Sequence, residues 1–397
     1  MLTFNKEKGN CTGCSACYSV CPKHCITMKE DKEGFLYPEA NDECVHCGLC
    51  EKVCPAFKNK VDLKFKQQVI AAVSKDYDIW NRSASGGAFS EICKQWADDT
   101  TLIVGAAWDG FRVHHVGVVG YDNIAPLCKS KYLSSAIEDT FIEIKKHLDL
   151  GYKVIFCGCP CQVAGLQGYL HKDFENLLTI DLICHGQGSP KVFKACIENM
   201  EKTVGLAIKG YQFRAKRKRY EVDYLACLET EKKNIYVVKD PYIQLFLSQN
   251  ALRPSCGKNC KYRDSRRPGD ITIADLKGLA ILFPDLQYTE KNWSTIVSNT
   301  AKGEKCVQHL SRSMEIRPIS IADVIKYNPL FARQTWFSKD RDAFFADFEA
   351  NADAAISKWT VPATEHKPYF VKQMYSALPG WLKKIISKTL QLIRKER

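Results

Sequence analysis

Past residue 67 the chain alternates short apolar runs with amphipathic stretches, and this alternation predicts its elements. Val69 to Ser74 reads as a strand, and Gly86 to Ala97 as a helix carrying Phe89, Ile92, Cys93 and Trp96 on one face. Leu102 to Trp108 and Val113 to Val119 read as strands, and Ile137 to Leu148 as a second amphipathic helix. Lys153 to Phe156 is a short buried strand entering a cysteine-rich turn; Leu177 to Ile183 is another, ending at Cys184 and His185. Such alternation implies a layered α/β arrangement. From about Ala207 strands dominate, at Ala207 to Phe213, Val222 to Glu229 and Ile235 to Val238. A helix from Tyr242 to Ser248 and a last strand, Ile271 to Ala274, follow. From Trp381, the residues Leu382, Ile385, Ile386, Leu390 and Ile393 recur at helical spacing, with Lys383, Lys384, Lys388, Arg394 and Lys395 between them. A helix of that kind either lies in a membrane interface or caps the protein's own core.

The opening segment follows a different rule. Its cysteines form two copies of C-x2-C-x2-C-x3-C-P, at Cys11, Cys14, Cys17, Cys21 and Pro22 and again at Cys44, Cys47, Cys50, Cys54 and Pro55. No other internal repeat is visible. This is the ligand pattern of a ferredoxin with two four-iron clusters, in which a tight turn gathers three thiolates and leaves the fourth facing the other cluster. Cys11, Cys14, Cys17 and Cys54 are therefore expected at one cluster, and Cys44, Cys47, Cys50 and Cys21 at its partner. A zinc ribbon needs C-x2-C pairs separated by a loop, whereas each run here supplies four cysteines and ends in proline. Electron transfer is the first functional expectation.

Composition narrows the setting. At 397 residues, with 45% hydrophobic and 26% charged positions, the chain can bury a sizeable core and form two or three domains. It holds twenty cysteines, and its first residues show no charged-then-apolar signal segment. A cytoplasmic, reducing location is the expectation, because oxidised cysteines cannot ligate iron. No run of eighteen apolar residues occurs, so no membrane span is expected. The net charge of +12 is concentrated in Arg214 to Arg219 and at the C-terminus. The run at Arg214 is either a solvated hairpin or an anion-recognising rim for a phosphorylated or carboxylated substrate or an acidic ferredoxin. No nucleic-acid partner is expected; peripheral membrane contact through the C-terminal helix is an open alternative.

Two further groups carry candidate chemistry. Ser83-Ala84-Ser85-Gly86-Gly87-Ala88-Phe89 is a small-residue turn opening a helix, which reads either as an ordinary serine cap or as a phosphate cradle. Cys157, Cys159 and Cys161 follow one strand, Cys184 another, and Cys256 and Cys260 precede a third. Residues just past strand ends converge at the binding edge of an α/β sheet, so these thiols either meet at a third cluster or are separate buried cysteines.

In order along the chain, Ser83-x-Ser85-Gly86-Gly87, Lys129-Ser130-Lys131-Tyr132, Gly158-x-Pro160-Cys161-Gln162, Cys184-His185-Gly186 and Asp270-Ile271-Thr272-Ile273-Ala274-Asp275 occur. Together these motifs resemble the beta subunit of the coenzyme F420 hydrogenase/dehydrogenase family, iron-sulfur flavoproteins, over nearly the whole chain to about Asn299. The resemblance implies FAD held by Ser83, Ser85, Gly86, Gly87, Lys129, Ser130, Lys131 and Tyr132. It also implies a third four-iron cluster on Cys161, Cys184, Cys256 and Cys260. The family usually has Thr at the position of Cys159 and a C-x2-C spacing where this chain has Cys256-x3-Cys260, which leaves Cys157 or Cys159 as alternative ligands. It also tends to have Phe-Trp where Leu276-Lys277 stands, which bears on the substrate pocket.

The expected fold class is α+β, a small ferredoxin-like domain followed by a mixed α/β flavin-binding region. Its expected divisions are 1–60 for the dicluster domain, 68–148 and 149–345 for the two parts of the flavin region, and 346–397 for a basic helical tail. The expected function is an oxidoreductase passing electrons between clusters and FAD and then to or from an organic substrate, with a role in polysaccharide synthesis suggested by relatives. A flavin suits that position because it exchanges one or two electrons. The alternative is a non-catalytic electron-transfer subunit of a larger redox complex. His185, beside a candidate ligand, either donates a proton or hydrogen-bonds near the cluster.

Overall fold

The computed structural model describes residues 8–57, 65–216, 225–257, 260–286, 289, 291–332, 337–365 and 379–382. Within the cysteine-rich segment, two short helices, Ala16–Val20 and Leu49–Val53, each lie inside one cysteine motif. Both end at the motif's fourth cysteine for one reason. The following proline disfavours helical geometry in the residue before it, and Cys21 and Cys54 accordingly turn extended, with ψ of 113° and 124°. Between the helices runs the antiparallel hairpin β1 (Ile26–Glu30) and β2 (Leu36–Ala40).

The remainder is built on an eight-stranded mixed sheet. Its strands are β3 (Gln68–Ser74), β4 (Leu102–Asp109), β5 (Arg112–Val119), β6 (Val154–Gly158), β7 (Leu177–Leu182), β11 (Ile271–Asp275), β12 (Ser294–Ser298) and β13 (Met314–Pro318). A smaller antiparallel sheet holds β8 (Ile208–Gln212), β9 (Ala226–Thr230), β10 (Asn234–Val238) and β14 (Thr364–Glu365). In the large sheet the spatial order is β13-β3-β12-β11-β7-β6-β4-β5. Strands β4, β6, β7 and β11 are mutually parallel, while β5, β12 and β13 run against their neighbours. The carboxyl ends of β6, β7 and β11 therefore share one edge, and that edge receives the cysteine-bearing loops.

Alternate residues of the central strands face opposite layers, as the pleat requires. Ile103, Ile155, Ile180 and Ile271 join Ile92 and Val307 on one face. Val104, Val154 and Phe156 join Phe141, Val163 and Leu166 on the other. Both faces are covered, which is why these strands read as continuous apolar runs.

Most expected elements are present within a few residues. The hairpin strands β1 and β2 and the short β14 were not expected, nor in the large sheet were β12 and β13, and β12 sits between β3 and β11. Its Ser294, Thr295 and Ser298 are buried, so polarity disguised a central strand. The helices Pro160–Leu170 and Pro190–Val204 also went unread; each starts with proline in its first turn, where a missing N–H costs nothing, and Ser189 caps the second. Arg217 to Arg219, the start of the expected strand at Val222, and the tail helix beyond Leu382 lie outside the described residues.

The cysteine-rich segment is tied to the α/β part by polar contacts. Ser189 donates to the carbonyl of Glu33 at 2.5 Å, Tyr18 to Asp139 at 2.9 Å, and Arg341 pairs with the Glu33 carboxylate.

Candidate redox centres

Cys11, Cys14, Cys17 and Cys54 line one cavity, together with Met28, Pro38 and Ala56. Cys21, Cys44, Cys47 and Cys50 line a second, with Cys25 and Ile26. The fourth thiol of each motif is thus delivered to the other motif's cavity, because the extended residue before proline points away from its own turn. Burial raises the Cys14 and Cys17 thiols and pushes Cys54 up to about 12, with the nearby Cys14 and Cys11 adding to the rise. Such thiols do not ionise unaided; iron bound among them would supply the positive charge that favours the thiolate. Among the described residues no group of three or more His, Cys, Asp or Glu converges on a single metal ion. Thiols spaced around a cavity instead suit a multi-atom cluster.

The two cavities differ in access. Cys14 and Cys17 are buried, whereas Cys47 is exposed beside Val45, which is 58% exposed. Sequence reading overlooked Cys25, a buried fifth thiol whose Sγ lies 3.4 Å from that of Cys21. Its spacing falls outside the repeated motif, which left it unmarked.

A third cavity is lined by Cys161, Cys184, Cys256 and Cys260, with His185, Gln187 and Tyr262 beside them. Cys161 lies in the first turn of the helix following β6, Cys184 just past β7, and Cys256 closes the short turn Pro254–Cys256. Gln187 holds the rim: its backbone N–H donates to Cys256 Sγ at 3.2 Å, and its Nε2 donates to Cys161 Sγ at 3.2 Å and to the Thr12 carbonyl at 3.2 Å. Burial pushes Cys256 up to about 12 and raises Cys161. Cys184 is instead lowered to about 7, chiefly by the hydrogen bond it shares with the Cys159 thiol 3.7 Å away and further by the Gly186 N–H, Arg263 and Arg267. Cys159 therefore touches a candidate ligand without lining the cavity. Cys157 sits on β6 and packs into the core, apart from this group. His185 donates from Nε2 to the Phe246 carbonyl at 3.1 Å, and burial lowers its pKa, which makes it a neutral wall of the cavity.

The first and third cavities adjoin. Asn10, Thr12 and Ala56 line both. Gly165, on the helix carrying Cys161, lets them meet: a Cβ there would lie 2.8 Å from Cys14 Sγ.

The residues expected at FAD lie at the carboxyl side of the sheet. Ser83 donates to the Ile79 carbonyl at 2.7 Å and Ser85 to the Trp293 carbonyl at 2.8 Å, so both hydroxyl protons are spent inside the protein. The Gly86 N–H donates to Ser294 Oγ at 2.9 Å, and close packing against Ala72 and Ser294 requires glycine there. Gly87, at φ 96°, starts the helix Ala88–Trp96 with no side-chain cap, leaving its first N–H groups for another acceptor. Lys129 donates to Gln212 at 2.6 Å, and Lys131 to the carbonyls of Pro126 and Cys128 at 2.8 and 2.7 Å. Burial lowers Lys129 and pushes Lys131 down to about 8. Among the described residues neither lysine has a carboxylate partner within ion-pair distance, so an anionic ligand would compensate both. Ser130 is half-buried, and the Tyr132 carbonyl accepts from Tyr242 at 2.6 Å. Of the basic run, Arg214 pairs with Asp275 at 2.7 Å and Lys216 donates to the Trp80 and Ser85 carbonyls at 2.6 and 3.0 Å.

Residues 151–322 match the family described as the C terminus of the coenzyme F420 hydrogenase/dehydrogenase beta subunit, and residues 10–57 match the 4Fe-4S dicluster domain. NADH-quinone oxidoreductase subunit I 2 of Geobacter metallireducens is 34% identical over 71 residues, covering 16% of this chain and 54% of that protein. The chain thus spans about half the length of that relative. Two uncharacterized ferredoxins of Methanocaldococcus jannaschii are 35% identical over 54 residues and 37% identical over 49. They cover 14% and 12% of this chain, and 68% and 74% of their own lengths. A solved chain of the F420-reducing NiFe hydrogenase complex from Methanosarcina barkeri is similar at TM-score 0.44 and 15% identity, covering 76% of this chain and 92% of that one. Among the described residues no helix is long and apolar enough to cross a membrane.

Proposed function

We propose, from the premise that this chain joins a 4Fe-4S dicluster domain to the C-terminal domain of the coenzyme F420 hydrogenase/dehydrogenase beta-subunit family, that it conducts electrons along three four-iron sites. The supporting observation is that three cavities are each lined by at least four cysteines. Clusters bound there would take up and release single electrons. The chain's own residues set the order of the route. The second cavity opens to the surface at Cys47 and Val45, where a partner such as a ferredoxin would dock. Helices Ala16–Val20 and Leu49–Val53 link it to the first cavity, and Thr12, Gln187 and Gly165 join the first to the third.

A flavin at the carboxyl edge of the sheet is the second part of this reading, and it would convert single electrons into pairs for an organic substrate. It is supported by the uncapped start of the helix Ala88–Trp96 and by two half-buried lysines that, among the described residues, have no carboxylate within ion-pair distance. The Gly87 and Ala88 amides with Lys129 and Lys131 would hold its phosphates. Without it, the protein is an electron-transfer subunit whose partner performs the chemistry.

Iron, sulfide and flavin analysis after anaerobic purification tests both parts. About twelve irons per chain are expected, falling by about four in Cys256→Ala. About eight in the unaltered chain would leave the third cavity without a cluster. Lys129→Ala with Lys131→Ala should lose flavin and keep iron; unchanged flavin would refute the phosphate assignment.

A further inference from the structure

Arg253 is fully buried, at 0% exposure, and among the described residues no acid pairs with it. Its Nε donates to the Cys11 carbonyl at 2.8 Å, and its Nη2 to the Leu36 carbonyl at 2.8 Å and to Cys11 Sγ at 3.7 Å. Among the described residues its Nη1 has no hydrogen-bond partner. That nitrogen sits beside Gly13, which lines the first cavity: a Cβ on Gly13 would lie 2.8 Å from it. The guanidinium lies over the Tyr37 ring at 4.2 Å and near Phe35 at 5.5 Å, so its surroundings are otherwise apolar.

A guanidinium keeps its charge at any pH a protein survives, and a buried charge without a counter-ion is strongly destabilising. The arrangement is therefore incomplete as a set of protein atoms. What completes it must be anionic and must lie where Cys11 and Gly13 lie. A four-iron cluster held by thiolates is such an anion, and each electron it accepts adds a negative charge. Among the described residues the second cavity has no comparable group; the lysine lining it, Lys23, is exposed. The main chain of Arg253 also reaches the third site, since its N–H donates to the Gln187 carbonyl at 2.9 Å and its carbonyl accepts from the Cys256 N–H at 2.9 Å.

We infer that Arg253 is the counter-charge of the first cluster, raising that cluster's reduction potential above the second's so that electrons entering at the surface fall inward. The inference rests on the cluster reading above. One electron enters the cluster, no bond forms or breaks, and no proton must follow, because the compensating cation is already in place. Arg253 acts through charge on the cluster and is a positioning residue.

The test is a mediated redox titration of the iron-loaded full-length chain, with dithionite as reductant and electron paramagnetic resonance as readout. The component missing from Cys54→Ala identifies the first cluster. Arg253→Met should retain iron and shift that component's one-electron equilibrium about tenfold against reduction, about 59 mV, while leaving the other components in place. Arg253→Lys, which keeps the charge, should shift it less. Unmoved midpoints in Arg253→Met, or equal shifts in both variants, would overturn the inference, the second by showing lost packing in place of lost charge. If Arg253→Met fails to load iron, Arg253→Lys decides: restored loading supports the counter-charge, and continued loss overturns it. An iron-free unaltered chain would remove the cluster reading and this inference together, whereas an iron-loaded chain with an unmoved midpoint removes only the inference.

Discussion

His115 is committed on both ring nitrogens inside the fold. The Cys157 carbonyl, 3.2 Å from Nε2, can only accept, so Nε2 carries the proton and Nδ1 accepts from Ser135 Oγ at 2.8 Å. Burial pushes the imidazole down to about 4, against about 6.5 in an unfolded chain. Between those values the unfolded chain binds a proton that the folded one refuses. The stability His115 contributes is therefore complete above about pH 6.5 and is lost as pH falls towards 4, at a cost of about 2 kcal/mol between pH 7 and pH 5. Urea midpoints measured across that range should fall less steeply for His115→Gln; parallel slopes would refute the assignment. This residue carried no signal in the sequence, and neither did Gln187, Arg253 or Cys25. His115, Gln187 and Arg253 acquire their roles from partners far along the chain, such as the 175 residues between Gln187 and Thr12, while Cys25, four residues from Cys21, falls outside the repeated spacing. The eight motif cysteines were legible because one tight turn sets their spacing and the proline after each fourth cysteine sets its direction.

At the scale of elements, β7, β11 and the loop bearing Cys260 are locked by one carboxylate. Asp181 accepts from Arg267 Nη2 at 3.0 Å, from Thr272 Oγ1 at 2.8 Å and from the Gly269 N–H at 2.9 Å, with both charged side chains buried. Asp181→Asn should strand the Arg267 charge and cost about 3–5 kcal/mol, read from the denaturant midpoint. A cost below about 1 kcal/mol would show that Arg267 is stabilised by its carbonyl contacts alone. The same comparison explains which elements were legible. Strands apolar on both faces, such as Val154–Gly158, announce themselves; β12 does not, because its buried serines are satisfied only by groups that the fold brings to them.

For the whole molecule, the first and third cavities lie where the cysteine-rich segment meets the α/β part, and Arg253, Gln187 and Lys261 cross that boundary. Cluster removal should therefore loosen both sides together. Hydrogen exchange before and after anaerobic chelation is expected to rise jointly in residues 10–57 and in the Pro254–Cys256 turn with its following loop, while the Val154–Gly158 strand stays protected. A rise confined to residues 10–57 would mean that the third site holds itself without iron.

The sequence by itself determined the ferredoxin-type segment, the exchange of fourth cysteines between its motifs and the layered α/β character of the rest. All three follow from local rules: turn geometry, proline's effect on its neighbour and hydrophobic period. Only the tertiary structure decided that Cys161, Cys184, Cys256 and Cys260 share a cavity, that this cavity adjoins the first, and that a buried arginine stands between them. Those relations depend on which strands become neighbours and on where unpaired charge is left, and both are properties of long-range packing.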